Sequence, residues 1–310
     1  MTLNFINILN LQLTLFSLIS IGIISRKKGI INSEGKLILT DLLIYIFLPA
    51  NIISSFDMKY SSEILIKFVT IFIFACLSQV VTYIFSKILY KQEEERKRKV
   101  LRYATITSNS GFIGLPIIGG IYGPEGLMYA SVALVPQRIM MWSAGLSCFT
   151  VSESFYKIVK KVMFHPCIIA VYIGLFLMIF PIKLPYFLNY TIKNVGNCTT
   201  SISMILIGAI LGEMESIFSI FSKTTFKYTL IRLIIIPFFV FIICKILNLN
   251  YLSTGIVVLI SGMPAGSTTV ILASKYKQDY IFASKLVVLS TILSIITIPL
   301  LSYVLDFIKN

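Results

Sequence analysis

Charged side chains are scarce in this chain. They make up 13% of its 310 residues, whereas apolar residues make up 57%. A water-soluble domain needs a polar surface, so this balance excludes a soluble protein and indicates the lipid bilayer as a partner. The net charge of +14 does not predict a nucleic-acid partner, because the basic residues are spread among short connectors.

Residues that bind metals or form disulfides are few as well. His165 is the single histidine, so no pair of histidine ligands exists. The five cysteines lie scattered through apolar stretches, without the spacing of a zinc site or a disulfide framework. The apolar stretches also lack the paired aspartates, Ser-Lys dyads and His-Glu zinc motifs of intramembrane enzymes. We therefore expect no enzyme, no metal and no cofactor.

What the chain does have is long apolar stretches. Ten of them are long enough to cross about 30 Å of hydrocarbon, which takes about 20 helical residues. The chain is thus predicted to be an all-α polytopic membrane protein without a soluble domain, its first stretch a retained span and no signal peptide. The predicted spans are 4–25, 37–56, 64–88, 101–122, 125–150, 166–182, 187–211, 227–247, 251–273 and 280–305.

The basic residues of the connectors predict the orientation of the chain. Counted together with the adjoining span ends, the connectors after helices 1, 3, 5, 7 and 9 hold 19 lysines and arginines and the opposite side holds 6, while Arg138 and Arg232 lie deeper inside spans. By the positive-inside rule, the charged run 91–99 is a cytoplasmic loop. Both termini are then extracellular, and the chain is a multi-pass protein of the cell membrane.

Ten spans also suggest internal symmetry. Residues 1–150 and 151–310 hold five spans each, and because five is odd, two such repeats insert with opposite orientation. Helix 4 then corresponds to helix 9 and helix 5 to helix 10, joined within each pair by a short turn at 122–125 or 276–279. We predict two inverted five-helix repeats.

Helices 4 and 9 are both interrupted by residues that membrane helices normally avoid. In the segment 108–116, we expect Gly111 and Gly114 to take unwound dihedrals and Pro116 to restart a half-helix. The segment 261–269 repeats this logic. Backbone groups freed inside a bilayer cost several kcal/mol each unless they are buried in protein or line a wet cavity. Paired interruptions of this kind are typical of the substrate sites of secondary transporters.

Polar side chains accompany the two interruptions. Asn109 supplies an amide, and Ser267 and Thr268 supply hydroxyls where the next half-helix starts. The start of a half-helix exposes free N–H groups and a positive dipole end, which favours a carboxylate. Arg138 lies in the middle of helix 5, where a cation normally faces a cavity or a partner, and Gln137 beside it is a further candidate.

Acidic residues give little support to ion coupling. Asp41 alone lies inside an otherwise apolar span, which makes it a candidate proton site, or a structural partner of Arg138. An exported anion needs no coupling, since the inside-negative potential contributes about 2.3 kcal/mol per charge per 100 mV. The alternatives are a proton- or sodium-coupled importer of organic anions and a membrane sensor that binds an organic acid.

One pair of glycines has a structural interpretation. Gly208 and Gly212 are four residues apart, a spacing that lets two membrane helices approach closely. We expect a helix–helix contact there.

The interrupted segments resemble those of the auxin efflux carrier family. Its prokaryotic members share the pattern Asn-x-Gly-x-x-Gly-x-Pro followed by a Tyr-Gly turn. The second half is similar too, in Met263-Pro264 followed by small polar residues and in Ile298-Pro299. The first pattern falls here on Asn109, Gly111, Gly114, Pro116, Tyr122 and Gly123.

This resemblance implies a fold like that of bile-acid sodium symporters and sodium/proton antiporters, with helices 4 and 9 crossing at the site. It also implies that Pro116, Pro264 and Asn109 hold the substrate carboxylate. Thr268 and the pair Gln137-Arg138 replace asparagines that many members carry, and the arginine favours a dianion or a larger anion.

The family transports indole-3-acetate in plants, and its prokaryotic members are assigned malate, malonate or other organic acids. We therefore expect a carrier that exports or exchanges small organic anions by alternating access. Assembly as a homodimer is left open.

Overall fold

The fold is helical throughout the part of the chain that the structure describes. A computed structural model describes residues 5–57, 61–149, 154–180, 182–213 and 220–307, and its β-structure there is a single bridge. The α-helices are α1 Phe5–Lys27, α2 Ser33–Ser55, α3 Ser62–Ile88, α4 Glu95–Ile106, α5 Leu115–Met140, α6 Phe155–Met163, α7 Pro166–Ile179, α8 Tyr186–Gly212, α9 Lys223–Ile246, α10 Tyr251–Ser261, α11 Thr268–Lys275 and α12 Tyr280–Phe307.

Five of the described helices, α2, α3, α8, α9 and α12, are long and apolar enough to cross a bilayer, and α7 and α10 are shorter apolar helices. The bounds of the long five lie within four residues of the predicted spans. The chain is therefore an all-helical polytopic membrane protein. Ten spans in two inverted repeats stay a prediction, and the repeat boundary at 150 and 151 and the termini at 1–4 and 308–310 lie outside the described residues.

Helix α6 is an element that the predicted spans do not contain. It has nine residues, too few to cross a bilayer, and it follows the fifth span. Its lysines, Lys157 and Lys160 among them, alternate with apolar residues at helical spacing. A search for long apolar stretches passes over such a helix, because its sequence is amphipathic.

Wide π-helical turns allow prolines inside two of the long helices. In α2 the π turn Leu43–Phe47 ends two residues before Pro49, and in α9 the π turn Ile231–Ile235 ends two residues before Pro237. Proline lacks an N–H, and its ring crowds the carbonyl four residues earlier. A wider turn displaces that carbonyl, so the helix continues past the proline.

A π-helical turn also occurs at the first interruption, and it shows that two expectations for this segment were wrong. A π turn, Ser110–Gly114, runs directly into α5, so the helix starts at Ser110 and Pro116 lies inside it. Pro116 does not restart a half-helix. Gly111 and Gly114 do not have positive φ angles either, so they are not needed for unwound dihedrals. Lack of space for a side chain is a better explanation of these glycines, since a Cβ on Gly114 would lie 3.3 Å from Met263 Cγ.

Both predicted turns are present. At the first one Gly123 interrupts the helical path of α5 with φ +67° and ψ −162°. This left-handed backbone favours glycine, because a side chain would be strained there. At the second one Lys277 has φ +53°, and Gln278 N–H donates to Ala273 O at 2.8 Å, which closes the end of α11.

The chain packs as two compact units. Unit 1 comprises Met1–Phe68, Leu115–Val132 and Met163–Glu215, and unit 2 comprises Val69–Gly114, Ala133–Val162 and Ser216–Asn310. Each unit takes segments from both halves of the sequence. The units are therefore a different division from the predicted repeats, which remain a hypothesis about symmetry.

Unit 1 depends on backbone contact between α1 and α8. A Cβ placed on Gly208 would clash with the carbonyl oxygen of Ile19 and lie 2.9 Å from the Cα of Gly22. A Cβ on Gly212 would lie 3.0 Å from Arg26 Cβ. The predicted close packing of these glycines is confirmed, and its partner is α1.

Unit 2 has a conventional side-chain core. Leu101 and Tyr103 of α4 pack in one buried cluster with Leu286 and Val287 of α12. Tyr228 of α9 belongs to the same cluster, and its hydroxyl donates a hydrogen bond to the carbonyl of Ala104 at 2.9 Å. This core fixes the end of α4, where the first interruption begins.

We expect Gly208→Ala to lower the free energy of unfolding by about 1–3 kcal/mol, because the added methyl group has to separate two backbones. Thermal unfolding of the detergent-purified variant measures this. Gly119→Ala is the control, since its Cβ would make only ordinary contacts of 3.8 Å with Leu127. Equal melting temperatures for the two variants would contradict the packing interpretation.

Candidate functional site

The two interruptions, at 107–109 and 262–267, lie side by side in unit 2. The first leaves the helix after Ile106, and the second leaves it after Ser261. Ser108 and Ala265 form an antiparallel bridge, and Asn109 N–H donates to the carbonyl of Pro264 at 2.8 Å. Two short stretches of extended backbone thus satisfy part of each other's hydrogen-bonding capacity, which gives Asn109 a fixed position next to Pro264.

Other elements of unit 2 supply further partners for these stretches. Ser290 of α12 accepts a hydrogen bond from Ala265 N–H at 3.1 Å. Gln137 of α5 donates through Nε2 to the carbonyl of Ser108 at 2.8 Å and to its hydroxyl at 2.9 Å. Backbone groups freed by the interruptions are therefore paired with polar side chains of neighbouring helices.

Arg232 holds the carboxyl-terminal ends of two helices. It is 2% exposed, and it donates from Nε to Met263 O and from Nη1 to Thr105 O, each at 2.9 Å. Thr105 lies in the last turn of α4, and Met263 follows α10. Helix ends of this kind carry unpaired carbonyls and negative partial charge, which a cation stabilises. Sequence reasoning placed Arg232 inside a span but gave it no role.

Asn109 itself is 7% exposed, and its side-chain amide makes no hydrogen bond with the described residues. Arg138 lies close by, since a Cβ on Gly111 would be 3.1 Å from its Nη2. Arg138 makes no ion pair with a described carboxylate of unit 2; its guanidinium contacts the sulfur of Met141 at 3.8 Å. A guanidinium therefore lies against Gly111, two residues along the chain from Asn109.

Gln137 has one paired and one unpaired end. Its Nε2 is bound to Ser108, while its Oε1 is buried and has no hydrogen-bond partner among the described residues. Exchanging the two atoms would set an oxygen against the Ser108 carbonyl, so the orientation follows from the geometry. Gln137 thus fixes the first interruption, and its free oxygen can accept a hydrogen bond.

The second interruption leads into α11. Thr268 is the first residue of that helix, as predicted, and Val270 N–H donates to the carbonyl of Ser267 at 3.1 Å. The hydroxyl of Tyr103 donates to Thr268 Oγ1 at 3.2 Å. Ser267 and Thr268 are both partly exposed.

Two of the predicted site residues belong to unit 1. Asp41 is exposed on α2. Pro116 is buried, and it lines a cavity of about 420 Å³ inside unit 1. Unit 2 holds the remaining ones, Asn109, Gly111, Gln137, Arg138, Pro264, Ser267 and Thr268.

The cavity has a polar wall that sequence reasoning missed. Lys193 Nζ lies 2.8 Å from Asp57 Oδ2, and this hydrogen bond lowers the pKa of the Asp57 carboxyl. No motif connects these residues, since Asp57 follows the end of α2 and Lys193 lies in α8, far apart in the sequence. The polar side chains of the wall are Asn51, Ser54, Ser55, Lys193, Asn197 and Thr200.

Comparison with known families decides the class of the protein. The family model described as "Membrane transport protein" matches residues 8–160 and 150–302. The chain belongs to the membrane transport protein family. This is the family of the auxin efflux carriers, so the resemblance seen in the two interrupted segments is confirmed.

Relatives within this membrane transport protein family span nearly the whole chain. An uncharacterized transporter of Methanocaldococcus jannaschii is 24% identical over 96% of this chain and 98% of its own length. An uncharacterized transporter of Methanothermobacter thermautotrophicus is 27% identical over 94% of this chain and 97% of its own. Their names give the class of protein, transporter, and no substrate.

Replacing Arg232 with Met removes the donors of two buried carbonyls in this family member. We expect a loss of about 3 kcal/mol or more in the free energy of unfolding, since hydrogen bonds from a charged group contribute about 1.5–3 kcal/mol each. Denaturant unfolding of the purified variant measures the loss. The control is Arg138→Met in the same unit, because Arg138 donates to no carbonyl of the described residues. A loss in Arg138→Met as large as that in Arg232→Met would contradict the role of Arg232 at the two helix ends.

Proposed function

We propose that this protein is a secondary-type carrier that moves small organic anions across the cell membrane by alternating access. The carboxylate of the anion binds beside the junction of the two interrupted segments. One observation carries the proposal: Asn109 is fixed to Pro264 through its backbone, its amide makes no hydrogen bond with the described residues, and the guanidinium of Arg138 lies against Gly111, two residues further along the chain.

The chemistry of this junction favours negative charge. The Asn109 amide donates hydrogen bonds, and a guanidinium such as that of Arg138 presents two parallel N–H groups that match a carboxylate. Thr268 begins α11, and because the N–H groups of Thr269 and Val270 already donate to the carbonyls of Gly266 and Ser267, the partly exposed hydroxyls of Ser267 and Thr268 are the donors that this segment offers. Gly111 leaves room for the guanidinium. The family resemblance also implies a role in binding for Pro116, which ends the segment 108–116 and belongs to unit 1.

Export or exchange is the direction we propose, with both termini extracellular. No acidic residue occurs in segments 108–116 or 261–269, and Asp41 is exposed on α2, which supports transport driven by the membrane potential. A proton- or sodium-coupled importer is the alternative in which Asp41 has a role, and loss of pH dependence in Asp41→Asn would favour it. A sensor would bind the anion without counterflow.

Transport by purified protein in proteoliposomes tests the proposal. Counterflow of radiolabelled malonate, malate and indole-3-acetate should occur for at least one anion. Asn109→Ala and Pro264→Ala should each reduce its initial rate by about tenfold, because a hydrogen bond to a charged group is lost or misplaced. Asn194→Ala, which changes an exposed asparagine, is the control. Normal rates in both site variants would rule out binding at the junction.

Arg138→Lys separates charge from geometry. Lysine keeps the positive charge but loses the planar fork, so we expect a higher apparent KM, by about tenfold, together with correctly folded protein. Arg138→Gln, which removes the charge, should raise the apparent KM further. Wild-type kinetics in Arg138→Lys would show that bidentate recognition of the carboxylate is wrong.

A further inference from the structure

The cavity in unit 1 has the size of a small-ligand site. It occupies about 420 Å³ among the end of α2, the first turns of α5 and the middle of α8. Binding pockets for small molecules commonly measure about 300–1,000 Å³. Glycines form much of the α5 side, and a Cβ on Gly123 would meet no atom within 4 Å. The space is therefore sufficient for a small organic acid.

The wall of this cavity offers hydrogen-bond donors that the protein does not use. The amides of Asn51 and Asn197 and the hydroxyl of Thr200 make no hydrogen bonds with the described residues. Ser54 and Ser55 differ, since their hydroxyls donate to backbone carbonyls of their own helix at 2.9 and 2.6 Å. Unpaired donors grouped around a cavity favour a ligand with acceptor oxygens.

Lys193 gives the wall its positive charge, and another carboxylate can replace its partner Asp57. Asp57 holds the ammonium at 2.8 Å and also accepts from Asn189 Nδ2 at 3.4 Å, but Asp57 does not line the cavity. The two side chains of the ion pair are 50% and 52% exposed. Ion pairs this exposed contribute about 0–1 kcal/mol, so a second carboxylate can displace the first at small cost.

We propose that this cavity is a second carboxylate site, in which the anion takes the place of Asp57 on Lys193 and accepts hydrogen bonds from Asn51, Asn197 and Thr200. Its ligand class rests on the proposed function. In the orientation proposed above, the site lies on the extracellular side, because Asp57 and Gly123 belong to connectors opposite the run 91–99. Asp57 would return to Lys193 when the anion is released.

Thermal unfolding of the detergent-purified full chain, titrated with malonate, indole-3-acetate and the neutral analogue malonamide, tests the site. Stabilisation reports binding to the folded state. Lys193→Met should weaken carboxylate binding by about tenfold, and Lys193→Arg should retain it. Asp57→Asn should strengthen binding by up to about fivefold, because the internal competitor is gone. Lys183→Met, which removes an exposed lysine outside the wall, controls for net charge.

The outcomes separate this site from the junction. Unchanged binding in both Lys193→Met and Asp57→Asn, with loss in Asn109→Ala, would overturn the cavity site and leave the proposed function standing. Loss in Lys193→Met with normal binding in Asn109→Ala would support the cavity and count against the junction. Equal weakening by Lys183→Met, or stabilisation by malonamide equal to that by malonate, would contradict a specific carboxylate site, as would no stabilisation by either carboxylate.

Discussion

The interrupted helices of unit 2 depend on the cation of Arg232. A carbonyl without a donor is costly in a low-dielectric interior, and a helix that stops inside the bilayer leaves several of them. One fully buried guanidinium provides donors for the ends of α4 and α10 together. Arg232 is as deeply buried as Tyr103 and Tyr228 of the neighbouring core, so its carbonyl partners depend on a protein donor. Everything proposed for the junction requires that these ends stay where Arg232 holds them.

The two units are stabilised in different ways. Unit 1 brings α1 and α8 into backbone contact through glycines, and it contains a cavity with several polar groups that make no hydrogen bond with the described residues. Unit 2 fills its interior with aromatic and aliphatic side chains and pairs the backbone at the interruptions with polar side chains, while Gln137 Oε1 and the Asn109 amide have no partner among the described residues. In the proposed carrier, the junction in unit 2 would recognise the anion, and the cavity of unit 1 would be a second site for the same class of ligand.

Much of this arrangement could be read from the sequence, because hydrophobic length and turn residues are local signals. The five long spans, the turns at Gly123 and Lys277, and the interruptions at 107–109 and 262–267 follow from such signals. Contacts between residues far apart in the sequence do not. The pairing of Arg232 with two carbonyls, and the approach of Lys193 to Asp57, depend on how helices pack, which no pattern in one sequence specifies.

Where local reasoning failed, the reason was a competing local structure. Pro116 was expected to begin a half-helix, because proline normally cannot sit inside one. The π turn before it removes the steric conflict, so the helix continues. Gly111 was expected to adopt an unusual backbone conformation, but its position is explained by the arginine packed against it. Both residues stay in the candidate site for reasons other than those the sequence suggested.

The glycine contact between α1 and α8 has a mechanical consequence. Where backbones touch directly, no flexible side chains lie between the helices to absorb a shift by changing rotamer. Sliding or rolling one helix over the other would drive carbonyl oxygens into Cα atoms. The two helices therefore move together as one rigid element. Any change of conformation in unit 1 has to keep α1 and α8 together.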